Sequence, residues 1–161
     1  MNWTYKLEQI EDISQFPTNT YGFVYMTTHK PTGKSYIGKK ILHFTKKAKL
    51  GKKELESLKG TVGRRPSYKM VVKESDWKTY YGSQDDIKRL LVEKKHEEFE
   101  RVILKCVENK KLLTYFETKY QFTYHVLEKP NEFYNNNILG KFYTKDLLEL
   151  DTENYLESPE N

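Results

Sequence analysis

Residues 21–40, YGFVYMTTHKPTGKSYIGKK, constrain the fold more than any other stretch of the chain. Aromatic and β-branched residues dominate the first eight positions and predict a strand. Pro31 and Gly33 predict a turn, and SYIGKK predicts the returning strand. A hairpin that only folds has no need of phenol groups beside a block of lysines. The combination therefore favours a site that handles phosphates.

The length of the turn decides which side chains of this hairpin meet. With a loop at residues 29–32, Thr28 pairs with Gly33 and Tyr25 lies opposite Tyr36. Directly opposed side chains share one face of a sheet, so the two phenols are expected to be neighbours. A slip of one residue would place them on opposite faces.

Charge is distributed very unevenly along the 161 residues. Residues 29–73 contain 14 Lys or Arg and two acids, whereas residues 146–161 contain six acids and no base. A strongly basic segment attracts a polyanion and releases its counterions on binding. An isolated lysine run is more often a solvated loop, but this one adjoins the hairpin. Nucleic acid is therefore the favoured partner, and we expect the acidic tail to mimic DNA and damp activity.

Length and composition predict one soluble domain. The chain is 37% hydrophobic and 14% aromatic, which is too rich in packing groups for a disordered protein. It has no apolar run near 18 residues, so we expect no membrane association. Its polar, acidic N-terminus is unlike a secretory signal. The single Cys106 cannot form an intrachain disulfide or a cysteine zinc site, which favours the reducing cytoplasm.

The remaining elements are predicted from local patterns. Residues 1–20 are interpreted as a lead-in with a weak helical turn near LEQIEDI. Residues 41–73 are interpreted as an irregular, mobile insertion with a short helix at KKELESL. Ser83 and Asp86 form an S-x-x-D capping signature that opens a helix. FERVILKCV predicts a third strand.

NKKLLTYFETKYQF predicts the longest helix, with apolar residues at helical spacing. Glu117 follows Leu113 by four residues and precedes Tyr120 by three, so it lies on or beside the apolar stripe. A boundary glutamate paired with a lysine is the ordinary explanation of such a position. A loop with three consecutive asparagines, FYNNN, follows this helix.

The order of these motifs resembles the GIY-YIG nuclease family, in particular its phage-associated and homing-type members. Gly22-Phe23-Val24-Tyr25 is followed, eleven residues after the first tyrosine, by Tyr36-Ile37-Gly38. YYGSQDDIKRLL, EEFERVIL, the helix with Glu117 and FYNNN then follow in the family's order. The resemblance covers residues 21–140, with the insertion 41–73 inside it and an acidic tail at 141–161. It implies an α+β fold, a small three-stranded antiparallel sheet flanked by helices.

The resemblance also implies an activity, the metal-dependent hydrolysis of a phosphodiester bond in double-stranded DNA. Glu117 matches the family's catalytic metal ligand for Mg²⁺ or Mn²⁺, a hard cation that needs few protein oxygens. Tyr25 matches the proposed general base, and Tyr36 the residue that positions water or phosphate. Because a phenol has a pKa of about 10, a base role needs cations nearby. Lys39 and Lys40 are expected to supply them, and Lys39 also to neutralise the transition state.

Further site residues follow from the family pattern. Asn135 matches a family asparagine that hydrogen-bonds around the site, although Asn136 and Asn137 stay open as alternatives. Many members carry an Arg about eight residues after the YIG motif, where this chain has Lys46. Lys39, directly after the motif, and a pair of arginines are the alternative cations. The expected nucleic-acid contacts are Lys46, Lys47, Arg64, Arg65 and Ser83, the last as a helix cap that also holds phosphate.

Two alternatives of other classes remain open. A GIY-YIG scaffold with weak or no activity would bind nucleic acid without a metal and would tolerate Glu117→Gln. An RNA-binding protein would use exposed tyrosines for stacking. Neither the nick-versus-double-strand outcome nor the choice between monomer and homodimer follows from the residues. A phage-encoded member would act in the cytoplasm of its bacterial host.

Overall fold

The computed structural model describes residues 2–147, which form nine strands and four α-helices. The strands are β1 Trp3–Tyr5, β2 Glu8–Ile10, β3 Gly22–His29, β4 Lys34–Ile41, β5 His43–Lys49, β6 Tyr68–Glu74, β7 Phe99–Val107, β8 Asn137–Ile138 and β9 Phe142–Tyr143. The helices are α1 Lys52–Ser57, α2 Asp85–Val92, α3 Lys110–Thr123 and α4 Thr144–Leu147. No helix among residues 2–147 has the length and apolar character that crossing a membrane requires.

The central sheet has five strands in the order β2-β1-β7-β3-β4, and it is mixed. Strands β4, β3 and β7 form the expected antiparallel trio, while β1 adds in parallel to β7. The predicted three-stranded antiparallel sheet was therefore too small. The reason is the N-terminal segment, where Trp3 is 1% exposed and its ring lies 5.1 Å from that of Phe23. Burial of that large ring fixes β1 on the sheet.

The predicted weak helical turn near residues 7–13 was wrong. Residues Glu8–Ile10 form a strand, and a 3₁₀ turn at Ile13–Gln15 follows it. Asp12 caps that turn by accepting a hydrogen bond from the N–H of Ser14. The boundaries proposed above for the lead-in and the nuclease domain stay a prediction.

The hairpin is confirmed, but its register differs from the predicted one by two residues. Tyr25 pairs with Gly38, and Thr27 pairs with Tyr36. The turn starts one residue later than expected because the N–H of Gly33, at φ +70°, donates to the carbonyl of His29. A shift of two preserves the face, since side chains alternate with period two. The phenols of Tyr25 and Tyr36 are still neighbours, with ring centroids 6.2 Å apart.

The predicted irregular insertion is instead a two-stranded antiparallel ribbon made of β5 and β6. The expected short helix is present between them as α1. Regular pairing was hidden in the sequence because lysines interrupt the apolar residues of both strands. The acidic tail falls outside the described residues from position 148 onward.

The two faces of the sheet carry separate cores, as strand alternation requires. One face buries Trp3, Phe23, Tyr25 and Trp77. The other buries Val24, Ile37, Leu113, Val126 and Ile138 beneath α3. Strand β4 is an edge of this sheet, so groups from both faces can meet at its free side.

Candidate active site

At Ile37 the free edge of β4 is hydrogen-bonded by one asparagine side chain, next to the backbone bonds that Ser35 makes with Glu132 and Tyr134. Asn135 Oδ1 accepts from the N–H of Ile37 at 3.0 Å, and Asn135 Nδ2 donates to the carbonyl of Ile37 at 2.8 Å. Gln121 Nε2 on α3 donates to the same carbonyl at 3.1 Å. Asn135 is therefore the member of the asparagine run that makes these bonds, and it is 5% exposed. The side chains of Asn135 and Gln121 therefore hold β4 in place between Tyr36 and Gly38.

The glycine of Tyr36-Ile37-Gly38 makes room for a phenol. Tyr25 is fully buried, and a Cβ on Gly38 would lie 2.5 Å from its hydroxyl oxygen. The same Cβ would lie 2.8 Å from the Tyr36 ring. Tyr80 packs edge-on against Tyr25 with centroids 5.9 Å apart and is its hydrogen-bond partner. The hydroxyl of Tyr36 lies 3.2 Å from Ser83 Oγ.

Burial raises the pKa of both phenols. For Tyr25 the pKa lies well above its usual value because of desolvation first, and then because of Tyr80 and Tyr36. For Tyr36 desolvation raises the pKa, and the hydrogen bond with Ser83 offsets part of the rise. Both side chains are thus neutral near pH 7. Lys39 and Lys40 are instead paired with carboxylates, Glu117 and Asp76, and the role expected of the two lysines beside a phenolate stays a prediction.

Lys39 is paired with Glu117 across the sheet–helix interface. Its Nζ lies 2.8 Å from Glu117 Oε2 and donates to Thr114 Oγ1 at 3.3 Å. Glu117 projects from α3, which begins where Asn109 Oδ1 accepts from the N–H of Leu112. The Glu117 side chain is 16% exposed, so most of it is removed from water. This ion pair lies beside Tyr36 at the edge of β4.

Lys40 points to the opposite face from Lys39, as neighbouring strand residues do. Its Nζ lies 2.5 Å from Asp76 Oδ1 and 3.9 Å from the centroid of the Tyr80 ring. The Lys40 ammonium holds the pKa of the Asp76 carboxyl below its usual value, mainly through this hydrogen bond. Lys40 therefore contacts the face of the Tyr80 ring and does not line the cavity described next.

A polar cavity of about 420 Å³ opens at the edge of β4. Its lining combines hydroxyl, amide, ammonium and carboxylate groups, from Tyr36, Lys39, Ser83, Gln84, Asp85, Glu117, Gln121, Asn135, Asn136, Asn137 and Leu139. Such a set can hold an anionic oxygen near Lys39 and a hydrated cation near Glu117. It lacks the apolar walls typical of small-molecule sites.

The residues at this cavity fit a magnesium ion held by one carboxylate. Among residues 2–147 no group of three His, Cys, Asp or Glu side chains could enclose a metal. Mg²⁺ does not need such a group, because it keeps several waters and binds one or two carboxylates together with substrate phosphates. Glu117 offers a partly buried carboxylate at the cavity wall, which is the donor that this mode requires.

Several residues predicted for nucleic-acid contact lie outside the cavity. Lys46 and Lys47 are exposed on β5, and Arg64 and Arg65 are exposed in the loop before β6. None of the four lines the cavity, so Lys39 is the basic residue that it contains. The predicted cap Ser83 was misassigned, because α2 is capped by Gln84, whose Oε1 accepts from the N–H groups of Asp86 and Ile87.

Sequence reasoning missed three residues that shape the site, namely Tyr80, Gln84 and Gln121. Gln121 follows Glu117 by four residues, so helical spacing alone places both on one face of α3. Tyr80 had no comparable signal, because its contact with Tyr25 joins segments that are far apart in the chain.

Comparison with known proteins agrees with this geometry. Residues 3–138 match the family model described as putative endonuclease segE, GIY-YIG domain. The chain therefore belongs to the GIY-YIG family, whose domains are in general nucleases. The match begins at β1, in keeping with the place of that strand in the sheet. No curated protein and no solved structure matches significantly.

Proposed function

We propose that this protein is an endonuclease that hydrolyses phosphodiester bonds of duplex DNA with the help of Mg²⁺ or Mn²⁺. The observation that carries the proposal is the convergence of Tyr36, Lys39, Glu117 and Asn135 on one polar cavity at the edge of β4. These residues come from a strand, a helix and a loop, and all four lie within residues 3–138, which match the family model.

Glu117 would hold the divalent ion, which when bound supplies charge to the scissile phosphate and acidity to a coordinated water. Lys39 lies 2.8 Å from this carboxylate and is placed to neutralise charge on a phosphate oxygen. Tyr36 and Ser83, 3.2 Å apart, would orient the attacking water by hydrogen bonds. Tyr25, buried and neutral, would act through its hydrogen bond with Tyr80 and its contact over Gly38.

The basic segment would bind the DNA backbone. Lys46, Lys47, Arg64 and Arg65 are exposed and lie outside the cavity, as groups that position a duplex rather than cleave it should. Binding should therefore weaken steeply as salt rises. With one candidate active site among residues 2–147, a monomer would nick one strand, and two molecules would be needed for a double-strand cut.

Conversion of supercoiled plasmid to nicked or linear DNA tests the proposal. The wild type should cut with Mg²⁺ and not with EDTA, and Glu117→Gln should lose at least about 100-fold in rate, as removal of groups that stabilise transition-state charge does. Glu108→Gln is the matched control, because that glutamate is exposed just before α3. Its rate should equal that of the wild type.

Inactivity of both the wild type and Glu117→Gln, with intact salt-sensitive DNA binding, would contradict the proposal. That outcome would favour a binding protein on the same scaffold. Preferential binding of single-stranded RNA in competition with duplex DNA would instead favour the RNA-binding alternative.

A further inference from the structure

The ribbon of β5 and β6 has one open face with an unusual composition. Pairing in the ribbon places Val72 opposite Thr45, Met70 opposite Lys47 and Tyr68 opposite Lys49. Opposed residues share a face, so three apolar side chains form a row along β6 beside a row of two lysines and a threonine along β5. We call the face formed by these six residues the open face.

The apolar row of the open face is well exposed to solvent. Tyr68, Met70 and Val72 are 53%, 60% and 66% exposed. The opposite face differs, because Ala48 and Val71 on it are half-buried and its Lys69 forms an ion pair with Glu54 of α1. A contiguous exposed apolar row is uncommon on a soluble protein and indicates an interaction surface.

The charge of the open face selects the class of partner. Lys47 and Lys49 stand directly beside the apolar row, and no acid lies among the six residues of the face. The ribbon also belongs to the segment 29–73, in which 14 basic residues face two acids. Duplex DNA offers phosphates on its outside and base edges, including apolar groups, within its grooves. Lysines can contact the phosphates while the apolar row beside them contacts the base edges. The open face therefore matches duplex DNA.

The open face also continues toward the candidate active site. Thr45 and Val72 at its base line a cavity of about 400 Å³ together with Ile41 of β4 and Tyr21, which directly precedes β3. Ile41 shares a face of β4 with Lys39, because the two are two positions apart in the strand. The open face therefore adjoins the end of β4, the strand that carries Lys39.

Chain length limits the distance between the open face and the candidate active site. Lys47 follows Lys39 by eight residues, so their Cα atoms are at most about 29 Å apart even in a fully extended chain. One turn of duplex DNA is about 34 Å long. The ribbon would therefore contact the duplex within one helical turn of the phosphate bound at Lys39.

We propose that the open face of the ribbon docks in the major groove of the DNA substrate, within one turn of the scissile phosphate. The inference rests on the proposed function. A two-stranded ribbon fits the width of the major groove. Met70, Val72 and Tyr68 would contact base edges and thymine methyl groups, while Lys47 and Lys49 would contact the flanking phosphates. The ribbon would then give the protein a preference among base sequences.

Binding measured in EDTA tests this inference without any dependence on cleavage. The probe is a fluorescent 25-base-pair duplex, titrated at three salt concentrations. Met70→Ser should weaken binding about fivefold or more at every salt concentration, the effect of losing one well-placed contact. Its plot of log K against log salt should keep the slope of the wild type. Lys47→Gln should instead reduce that slope by about one.

The matched control is a pair of identical substitutions at exposed valines. Val72→Ser on the open face should weaken binding, and Val92→Ser at the end of α2, where the side chain is 83% exposed, should not. Because these side chains are exposed, the variants should fold normally, and circular dichroism checks that they do.

Replacement of thymine by uracil in the probe locates the groove, because it removes a methyl group that only the major groove displays. Wild-type binding should weaken, and Met70→Ser should lose part of that sensitivity. Unchanged affinity of Met70→Ser and Val72→Ser, equal binding of thymine and uracil probes, or no DNA binding by the wild type would each overturn the inference. Loss of plasmid cleavage with these binding results intact would instead count against the proposed function alone.

Discussion

The hydrogen bonds of Asn135 to the edge strand predict a specific loss of stability in Asn135→Ala. Ile37 is fully buried, and its N–H has Asn135 as its partner, whereas its carbonyl also accepts from Gln121. The substitution therefore orphans the N–H and leaves the carbonyl bonded. A buried donor without a partner costs about 1–3 kcal/mol. We expect a loss of about 2 kcal/mol in the free energy of unfolding.

Urea denaturation followed by tryptophan fluorescence measures this loss. Trp3 and Trp77 are 1% and 0% exposed, so both should report unfolding of the core. For a chain of this size, about 2 kcal/mol corresponds to a decrease of roughly 4–8 °C in Tm. Asn136→Ala is the matched control, because Asn136 is exposed and should change stability by less than about 0.5 kcal/mol.

Asn135→Asp adds a pH signature to the same argument. The new carboxylate keeps the acceptor for the Ile37 N–H but turns a negative oxygen toward the Ile37 carbonyl. Burial and this repulsion raise the pKa of the carboxyl in the folded protein, so the variant should become more stable relative to wild type as pH falls. A loss below about 0.5 kcal/mol in Asn135→Ala, or equal losses in Asn135→Ala and Asn136→Ala, would refute the reasoning.

Three other predictions concern a glycine, the cysteine and the tail. Gly38→Ala places a Cβ 2.5 Å from the Tyr25 hydroxyl and should lower the free energy of unfolding by about 1–3 kcal/mol. Gly51→Ala is the control, because the nearest atom to its added Cβ lies at 3.7 Å. Equal unfolding midpoints of the two variants would contradict this prediction. Burial raises the pKa of the Cys106 thiol to about 11, so at pH 8 only ~0.1% of it is thiolate. Alkylation of Cys106 should therefore be far slower in the native protein than in the urea-unfolded protein. Equal alkylation rates would contradict this raised pKa. Deletion of residues 148–161 removes five acids and changes the net charge from +5 to +10, so DNA binding and plasmid cleavage should both increase; an unchanged rate would reject the inhibitory role.

Local patterns in the sequence were sufficient for the elements that depend on neighbouring residues. The hairpin, the strand at residues 99–107 and the helix with Glu117 are present. Turn residues, β-branched runs and helical spacing act over a few positions, so they can be read without the fold. Even the two-residue error in register left Tyr25 and Tyr36 on one face, since a strand repeats every two residues.

The sequence was less informative where pairing partners lie far apart in the chain. Residues 3–10 join the sheet through β7, almost a hundred residues away, and nothing local to them signals that contact. The ribbon was missed because its lysines obscure the alternation of β5 and β6, and its strands pair only with each other.

By itself the sequence determined the family and the basic character of residues 29–73, because these follow from residue types and their spacing. Tertiary structure decided that Lys39 meets Glu117 while Lys40 turns away to Asp76. It also decided that Asn135, and not Asn136 or Asn137, bonds Ile37 at the edge of β4. Strand alternation sends adjacent lysines to opposite faces, and only the packing of α3 and of the segment around Asp76 determines which carboxylate each lysine meets.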